Sequence, residues 1–196
     1  MQPHTLQSVV LRGTRIDMVH LTEAHAPDLL KHTARDSFKF FKNDDPEWTV
    51  EGLGRFIGEC RAMPGRFPFA TVLKSSGEAI GSSSIYLIDP ELTGVEIGWT
   101  WLASAYRGGF ANPESKLLLM THAFETMGCQ RVQLKTDIRN QHSQNAIAKL
   151  GAVREGVLRQ HVTVREGHIR DSVMFSIIRG EWPGVKAGLE ERVRAG

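Results

Sequence analysis

The fold is decided by one stretch of sequence, Tyr106-Arg107-Gly108-Gly109-Phe110-Ala111-Asn112-Pro113-Glu114-Ser115-Lys116-Leu117. It follows a predicted strand at residues 94–102 and opens residues 113–127, whose apolar stripe has the period of a helix. Asn112 can cap this helix, and Pro113 can occupy its first position, where a missing N–H costs nothing. Unpaired backbone N–H groups and the positive end of a helix make such a junction a site for phosphate groups. An ordinary strand-to-helix loop with a solvated arginine fits the local pattern equally well.

The rest of the chain is predicted to add strands and helices within a single domain, residues 1–196. The predicted strands are 8–22 with a turn at Gly13, 67–73, 79–88, 94–102, 131–136, 153–165 and 168–178, and the predicted helices are 23–35, 49–63, 113–127, 140–150 and 181–194. Turns at residues 75–78 and 89–91 leave no room for crossover helices, so residues 66–102 are expected to form an antiparallel meander. The predicted class is α/β (α+β), with a mixed, mostly antiparallel central sheet flanked by helices.

Composition excludes several classes of protein. Lys and Arg total 24 against 22 Asp and Glu, a formal charge of +2, whereas a general nucleic-acid binder normally shows a basic cluster. The two cysteines, Cys60 and Cys129, exclude a disulfide framework, and neither they nor the eight histidines have metal-ligand spacing. There is no apolar run long enough to span a membrane and no signal sequence, so a cytoplasmic location is expected.

Residues 106–117 resemble the coenzyme A pyrophosphate loop and helix of the GNAT N-acetyltransferases. Within that superfamily the similarity is greatest to the RimL-like branch, named for enzymes that acetylate the N-termini of ribosomal proteins. Further supporting stretches follow in the family's order, at 96–99, 122–125, 135–137 with Asn140 and Ser143, 150–152, 155–159, 170–171 and 181–183. The loop departs from the usual Gln/Arg-x-x-Gly-x-Gly/Ala pattern, because Phe110 and Asn112 occupy its last two defined positions and the glycines lie earlier.

The resemblance implies a GNAT fold and an acetyl-CoA-dependent N-acetyltransferase, in which a primary amine attacks the thioester directly in a ternary complex without a metal. The acceptor would be a small-molecule amine or a peptide N-terminus, with no membrane or direct nucleic-acid partner. A homodimer is implied by the resemblance alone. The implied cofactor-binding residues are Trp101, Leu102, Arg107, Gly108, Gly109, Phe110, Ala111, Asn112, Asn140 and Ser143. A non-catalytic coenzyme A-binding or regulatory module, or a transferase of a larger acyl group, remains as an alternative.

Glu96 is the candidate catalytic base. The strand period of two divides residues 95–102 between two faces, with Glu96, Gly98, Thr100 and Leu102 on one and Val95, Ile97, Trp99 and Trp101 on the other. A carboxylate beside glycine and threonine indicates a cleft with room next to the acid. Acetylation of an amine needs a base that takes up the ammonium proton, and the resemblance places acidic bases on this strand. A solvated edge carboxylate is the simpler alternative.

Ser143 is the second candidate catalytic residue. Many GNAT enzymes carry a tyrosine four residues before the glycine that ends this helix, but Ile147 occupies that position here. Ser143 lies one turn earlier on the same face. This pattern, with a serine, resembles that of RimL-like proteins. Because a serine hydroxyl is a weak acid, we expect it to stabilise the departing thiolate by a hydrogen bond. Asn140 is predicted to cap the helix, and the resemblance adds a contact with the coenzyme A arm.

Two further groups of side chains each have more than one interpretation. Polar residues surround the predicted turn at 166–167, where they could bind the acceptor, form a dimer contact or be solvated: Arg159, His161, Arg165, His168, Arg170 and Asp171. Aromatic residues gather between the first two predicted helices, where they could wall the acceptor site or belong to the core: Phe38, Phe40, Phe41 and Trp48.

Overall fold

The computed structural model describes residues 6, 9–41, 45–87 and 93–196. Within this part of the chain a single sheet has the strand order β1-β2-β3-β4-β5-β6-β8-β7. Its strands are β1 (Leu11–Arg12), β2 (Ile16–His20), β3 (Arg66–Leu73), β4 (Ala79–Leu87), β5 (Gly94–Leu102), β6 (Arg131–Asp137), β7 (Val153–Thr163) and β8 (Ile169–Ile178). Neighbouring strands are antiparallel except β5 and β6, which run parallel. The predicted α/β class, with its mixed and mostly antiparallel sheet, is confirmed.

Five helices pack on this sheet, all but the first close to their predicted positions. They are α1 (Ala26–His32), α2 (Val50–Ala62), α3 (Ala111–Thr121), α4 (Gln141–Ala148) and α5 (Trp182–Ala195). Thr49 caps α2, because its hydroxyl accepts the N–H of Gly52 at 3.0 Å. Asn140 caps α4 by accepting the N–H of Ser143 at 3.0 Å, as predicted. None of the helices described is both long and apolar enough to cross a membrane.

The helix predicted at residues 23–35 is wrong in its extent. A 3₁₀ turn (Glu23–His25) precedes α1, and Pro27 lies in the first turn of α1, a position that tolerates its missing N–H. Thr33 then adopts an extended conformation and ends the helix. Ser8, Ile88 and the predicted turn at 89–91 lie outside the described residues.

The start predicted for α3 is also wrong. Phe110 adopts right-handed helical angles (φ −67°, ψ −27°), and its carbonyl accepts the N–H of Glu114 at 2.9 Å. The helix therefore begins at Ala111, and Asn112 lies inside its first turn rather than capping it. At the other end α3 continues as a π-helical turn (His122–Thr126), and Gly128, with φ +77°, ends the segment as predicted.

Two hydrophobic cores lie on opposite faces of the sheet. The larger core packs α3, α4 and α5 against one face and includes Leu119, Ile147 and Leu189. The smaller core packs α1 and α2 against the other face, around Leu29 and Phe56, and draws no residue from β6, β7 or β8. On that second face, the C-terminal half of the sheet therefore lines an open cleft beside α1 and α2.

A β-bulge in β5 interrupts the alternation predicted for this strand. The register moves from Ser84 opposite Gly98 to Ser82 opposite Trp101, so β5 holds one more residue than β4 between these pairs. Trp99 adopts a left-handed φ of +50°, which non-glycine residues rarely do. Two residues on β5, Trp99 and Thr100, therefore share a single partner on β4.

The bulge makes the predicted division of faces wrong. Val95 and Ile97 lie in the larger core beside α3, whereas Trp101 lies in the smaller core and Trp99 packs against it. Leu102 has moved in the opposite sense, into the larger core. A simple period of two cannot foresee this exchange, because one inserted residue moves every later side chain to the other face.

Lys116 of α3 lies buried against this bulge. Its Nζ donates to the hydroxyls of Ser83 at 2.8 Å and Thr100 at 2.5 Å, and these two hydroxyls are 2.6 Å apart. No carboxylate of the described chain forms an ion pair with it. Burial lowers the pKa of Lys116 from 10.5 to about 7. The amine thus holds Thr100 on the α3 side of the sheet.

We predict opposite effects for the same substitution at two glycines. A Cβ at Gly81 would lie 2.4 Å from the carbonyl oxygen of Trp101, so Gly81→Ala should lower the free energy of unfolding by about 2 kcal/mol. A Cβ at Gly54 within α2 meets nothing within 4 Å, so Gly54→Ala should raise it by about 0.5–1 kcal/mol. Urea unfolding of both variants measures the two changes, and shifts of the same sign would contradict the prediction.

We also predict that Lys116 makes stability depend on pH. Above about pH 7 the folded protein holds a neutral amine, whereas the unfolded chain keeps it protonated up to about pH 10.5. Unfolding therefore takes up a proton, and stability rises with pH in this window. Between pH 7.5 and 9.5 the free energy of unfolding of the wild type should gain about 2 kcal/mol relative to Lys116→Met. Parallel pH profiles for the two proteins would show that the amine is charged in the fold.

Candidate active site

The sheet opens between β5 and β6. These strands pair only from Gly94 to Glu96, in register with residues 131–133. Beyond Glu96, β5 has a strand partner on the β4 side only, while β6 continues along β8. The backbone of residues 97–102 therefore presents one unpaired edge, which an extended ligand could pair with as an added strand would.

The open edge leads directly to the glycine-containing loop. The backbone N–H groups from Gly108 to Asn112 donate no hydrogen bond to any described residue. Gly108 has φ +81°, which turns the chain so that these groups follow one another into the start of α3. Such a row of free donors at the positive end of a helix can bind an anion.

Two arginines flank this loop, and only one was predicted. The guanidinium of Arg107 donates to the carbonyl of Leu102 at 3.0 Å and to the hydroxyl of Ser37 at 2.5 Å, which ties the loop to the end of β5. Arg15 lies with its guanidinium 4.9 Å from the ring centre of Phe110. Arg15 was not predicted, because it lies in the turn before β2, almost a hundred residues earlier in the chain, and no local motif marks it.

Glu96 is buried rather than solvated, with 6% of its surface exposed. Its Oε2 accepts hydrogen bonds from Gln133 Nε2 and Lys135 Nζ, each at 2.9 Å. No hydrogen bond from the described residues reaches Oε1, which lies 3.4 Å from where a Cβ of Gly98 would be. The absent side chain at Gly98 thus leaves one carboxylate oxygen free, as the cleft predicted beside Glu96 requires.

Gln133 and Lys135 were not predicted as partners of Glu96. They alternate along β6 with the buried Val132, Leu134 and Thr136, and this period of two is the signal that could have found them. Only the parallel pairing of β5 with β6 shows that their face is also the face of Glu96.

Tyr86 of β4 and Arg66 of β3 lie on the other side of Glu96 from Gln133 and Lys135. Tyr86 lies opposite Glu96 on β4, and its buried hydroxyl has no hydrogen-bond partner in the described chain. Burial raises the pKa of Tyr86, which therefore stays protonated. Arg66 is buried with its guanidinium 4.0 Å from the ring centre of Trp99, so an aromatic face takes the place of an acidic partner.

Ser143 and Asn140 lie where β6 passes into α4. The side chain of Asn140 is committed to capping the helix. Ser143 is half-buried, and its hydroxyl makes no hydrogen bond within the described chain, while Ile147 one turn later is buried in the core. No hydrogen bond joins either residue to Glu96 or to the glycine-containing loop.

The β7–β8 hairpin brings only part of its predicted polar group into the cleft. Ser172 accepts a hydrogen bond from Arg170 Nε at 3.1 Å and lies 3.0 Å from Nδ1 of His161. Asp171 instead accepts the backbone N–H of Gln160 at 2.7 Å, at a bulge in β7. Arg159 and His168 are exposed.

The tip of the hairpin closes one end of the cleft. Arg165 forms an ion pair with Asp45 at 2.7 Å and donates to the carbonyl of Phe38. Phe38 is a core residue with 1% of its surface exposed. Phe41 is half-buried, with its ring centre 5.0 Å from that of Trp99. Phe38 therefore belongs to the core, and Phe41 packs against the edge of the same core, so a role for the aromatic group in the acceptor site stays a prediction.

The described residues contain no cluster of three or more His, Cys, Asp or Glu side chains that could hold a metal ion.

Comparison with known proteins identifies the family. The model of the acetyltransferase (GNAT) domain matches residues 15–153. The crystal structure of a putative acetyltransferase from T. thermophilus is 38% identical, with a TM-score of 0.86 over 94% of this chain and 96% of that one. RimJ of Mycobacterium smegmatis, solved in complex with CoA-disulfide, shares the fold at 22% identity, with a TM-score of 0.73 over 93% of this chain and 90% of that one.

A curated relative supports the same family. The putative ribosomal N-acetyltransferase YdaF of Bacillus subtilis (strain 168) is 29% identical over 110 residues, which are 56% of this chain and 59% of that protein. The chain spans about three fifths of the length of the curated relatives it matches. The range matched by the family model runs from the turn before β2 to the start of β7 and contains the bulged strand, Glu96 and the loop of free N–H groups. The chain belongs to the GNAT acetyltransferase family.

Proposed function

We propose that this protein is an acetyl-CoA-dependent N-acetyltransferase that moves an acetyl group to a primary amine by direct attack in a ternary complex. The observation that carries the proposal is the open edge of β5, which joins the loop of free N–H groups to the cleft that contains Glu96. A ligand with an anionic end and an extended arm fits this path, and its far end would lie beside the carboxylate.

Acetyl-CoA supplies the acetyl group as an activated thioester when it is bound. The free N–H groups of Gly108, Gly109, Phe110, Ala111 and Asn112 would hold its pyrophosphate, since Phe110 can donate from its backbone as a glycine does. The unpaired edge at Trp101 and Leu102 would pair with the amide groups of the pantetheine arm. Asn140 and Ser143 would contact the arm from the side of α4.

Glu96 would take up the proton of the acceptor ammonium, directly or through a water molecule. Its free Oε1 faces the space that Gly98 leaves, whereas Gln133 and Lys135 fix Oε2. A base held by two donors on one oxygen keeps its orientation while the other oxygen exchanges a proton.

Two further groups would stabilise charge that develops during the reaction. The unpaired backbone of β5 near the bulge offers N–H groups that can polarise the acetyl carbonyl. The Ser143 hydroxyl, which has no partner in the described chain, can donate a hydrogen bond to the departing thiolate. Neither cysteine is needed as a nucleophile, since Cys60 and Cys129 are both buried and burial raises the pKa of each thiol.

A protein N-terminus is the acceptor that the relatives favour. YdaF is named a putative ribosomal N-acetyltransferase, and a solved neighbour from Vibrio fischeri is a ribosomal-protein-S5-alanine acetyltransferase. The second candidate function, a coenzyme A-binding module without catalysis, would bind the thioester and not consume it.

We predict that Arg107→Ala weakens acetyl-CoA binding about tenfold or more, because the loop loses its tie to Leu102 and Ser37 together with a cation. Calorimetric titration measures the dissociation constant, with Arg159→Ala on the exposed hairpin as the matched control. An unchanged dissociation constant in Arg107→Ala would remove the loop from the proposed site. No binding by the wild type would contradict the function itself.

We predict that Glu96→Gln lowers kcat about 100-fold and that Ser143→Ala lowers it about tenfold, whereas neither weakens acetyl-CoA binding. The larger loss reflects a missing base and the smaller one a missing hydrogen bond to a charged atom. Steady-state kinetics with a panel of primary amines measures both. Glu155→Gln is the matched control, since Glu155 pairs with Arg131 outside the proposed site. Unchanged turnover of Glu96→Gln across pH 6–9 would contradict the role of Glu96.

A further inference from the structure

Arg170 is a buried arginine on the cleft face that has no acidic partner among the residues that the structure describes. Only 9% of its surface is exposed, and its one hydrogen bond in the described chain runs from Nε to the hydroxyl of Ser172. No carboxylate of the described residues lies within ion-pair distance of its guanidinium. Burying a charge without a counter-charge is costly, so this arrangement needs a reason.

The charges around Arg170 leave one positive charge in excess. The two carboxylates whose fields act on it are those of Glu96 and Asp137. Each is already taken, since Glu96 pairs with Lys135 at 2.9 Å and Asp137 pairs with Arg139 at 2.7 Å. Two carboxylates therefore face three cations on this side of the cleft, and Arg170 is the one left over.

Ser172 orients the donors at this position. Its oxygen accepts the N–H of Arg170, and its hydroxyl forms a second hydrogen bond with Nδ1 of His161 at 3.0 Å. Nε2 of His161 has no partner in the described chain. Burial, together with the nearby Lys135 and Arg170, lowers the pKa of His161, so the ring adds a neutral group rather than a second charge.

We infer that Arg170 forms a subsite for a carboxylate carried by the acceptor amine. Nε is already used, so the two terminal nitrogens remain as a fork that matches the two oxygens of a carboxylate. A single negative charge also balances the single positive charge in excess. The inference rests on the proposed function, since it assigns a property to the amine that the cleft accepts.

The position of the subsite favours a carboxylate several bonds away from the amine. Ser176 is in register with Gln133 and hence with Glu96, and Ser172 lies four residues further along β8. Four residues of strand span about 13 Å, which the side chains at both ends shorten. An acidic side chain near the N-terminus of a peptide fits this spacing better than the α-carboxylate of a free amino acid.

The test compares two peptides that differ only in charge, Ala-Glu-Ala-amide and Ala-Gln-Ala-amide. The wild type should acetylate the Glu peptide with a kcat/KM about tenfold or more above that for the Gln peptide, mainly through KM. The ratio should fall to about one in Arg170→Gln and stay at the wild-type value in Arg159→Gln, which changes an exposed arginine of the same hairpin. Equal rates for the two peptides with the wild-type enzyme would overturn the subsite.

A second measurement decides the question without turnover. The Hε resonance of Arg170, identified by its loss in Arg170→Gln or Arg170→Lys, should shift when the Glu peptide is added and not when the Gln peptide is added. Identical responses to both peptides would overturn the inference even if one variant fails to fold. Failure to acetylate any amine would instead overturn the proposed function.

Discussion

The contact of Lys116 with Ser83 and Thr100 is the constraint on which the rest of the site depends. One extra residue in β5 would change little if the side chains that follow it could still lie on the faces that simple alternation predicts. The buried amine prevents this by holding Thr100 toward α3, so the two tryptophans must lie on the side of α1 and α2. A mostly neutral amine suits this place, because two hydroxyls satisfy it and no carboxylate is needed.

The divergence of β5 from β6 then creates two different environments in one sheet. Toward α3 the free backbone groups form a neutral but strongly polar path that ends in the loop before the helix. On the opposite face the side chains of β6 and β8 form a charged floor, where carboxylates and cations are paired with one exception. Under the proposed function, backbone dipoles would bind acetyl-CoA and side-chain charges would bind the acceptor amine. Glu96 lies where the pairing of β5 with β6 ends, and so at the boundary of the two.

Local patterns predicted most of the elements, because each carries its own signal. The caps at Thr49 and Asn140, the stop at Gly128 and the meander of β3, β4 and β5 depend on neighbouring residues only. The bulge could not be predicted, since its cause, Lys116, lies on another element and its effect is a left-handed Trp99 that no sequence rule favours. The cap assigned to Asn112 was wrong because the helix already begins at Ala111, after a Phe110 with helical angles. Gln133, Lys135 and Arg15 reach the site only through tertiary pairing, so their chemistry was visible in the sequence but their location was not.

The cleft and the loop differ in where their residues come from along the chain. The bulge needs only β4, β5 and α3, which follow one another in sequence between Ala79 and Thr121, and the loop adds Arg15 and the hydrogen bond from Arg107 to Ser37. The cleft also needs the segment near Phe38 and the β7–β8 hairpin, joined by Arg165 across more than a hundred residues. Substitutions in the β7–β8 hairpin can therefore reshape the cleft with little effect on the buried amine or the loop, whereas the segment near Phe38 also contains Ser37, a partner of Arg107. Under the proposed function, the scaffold would thus allow acceptor preference to diverge in evolution while the use of one acyl donor is kept.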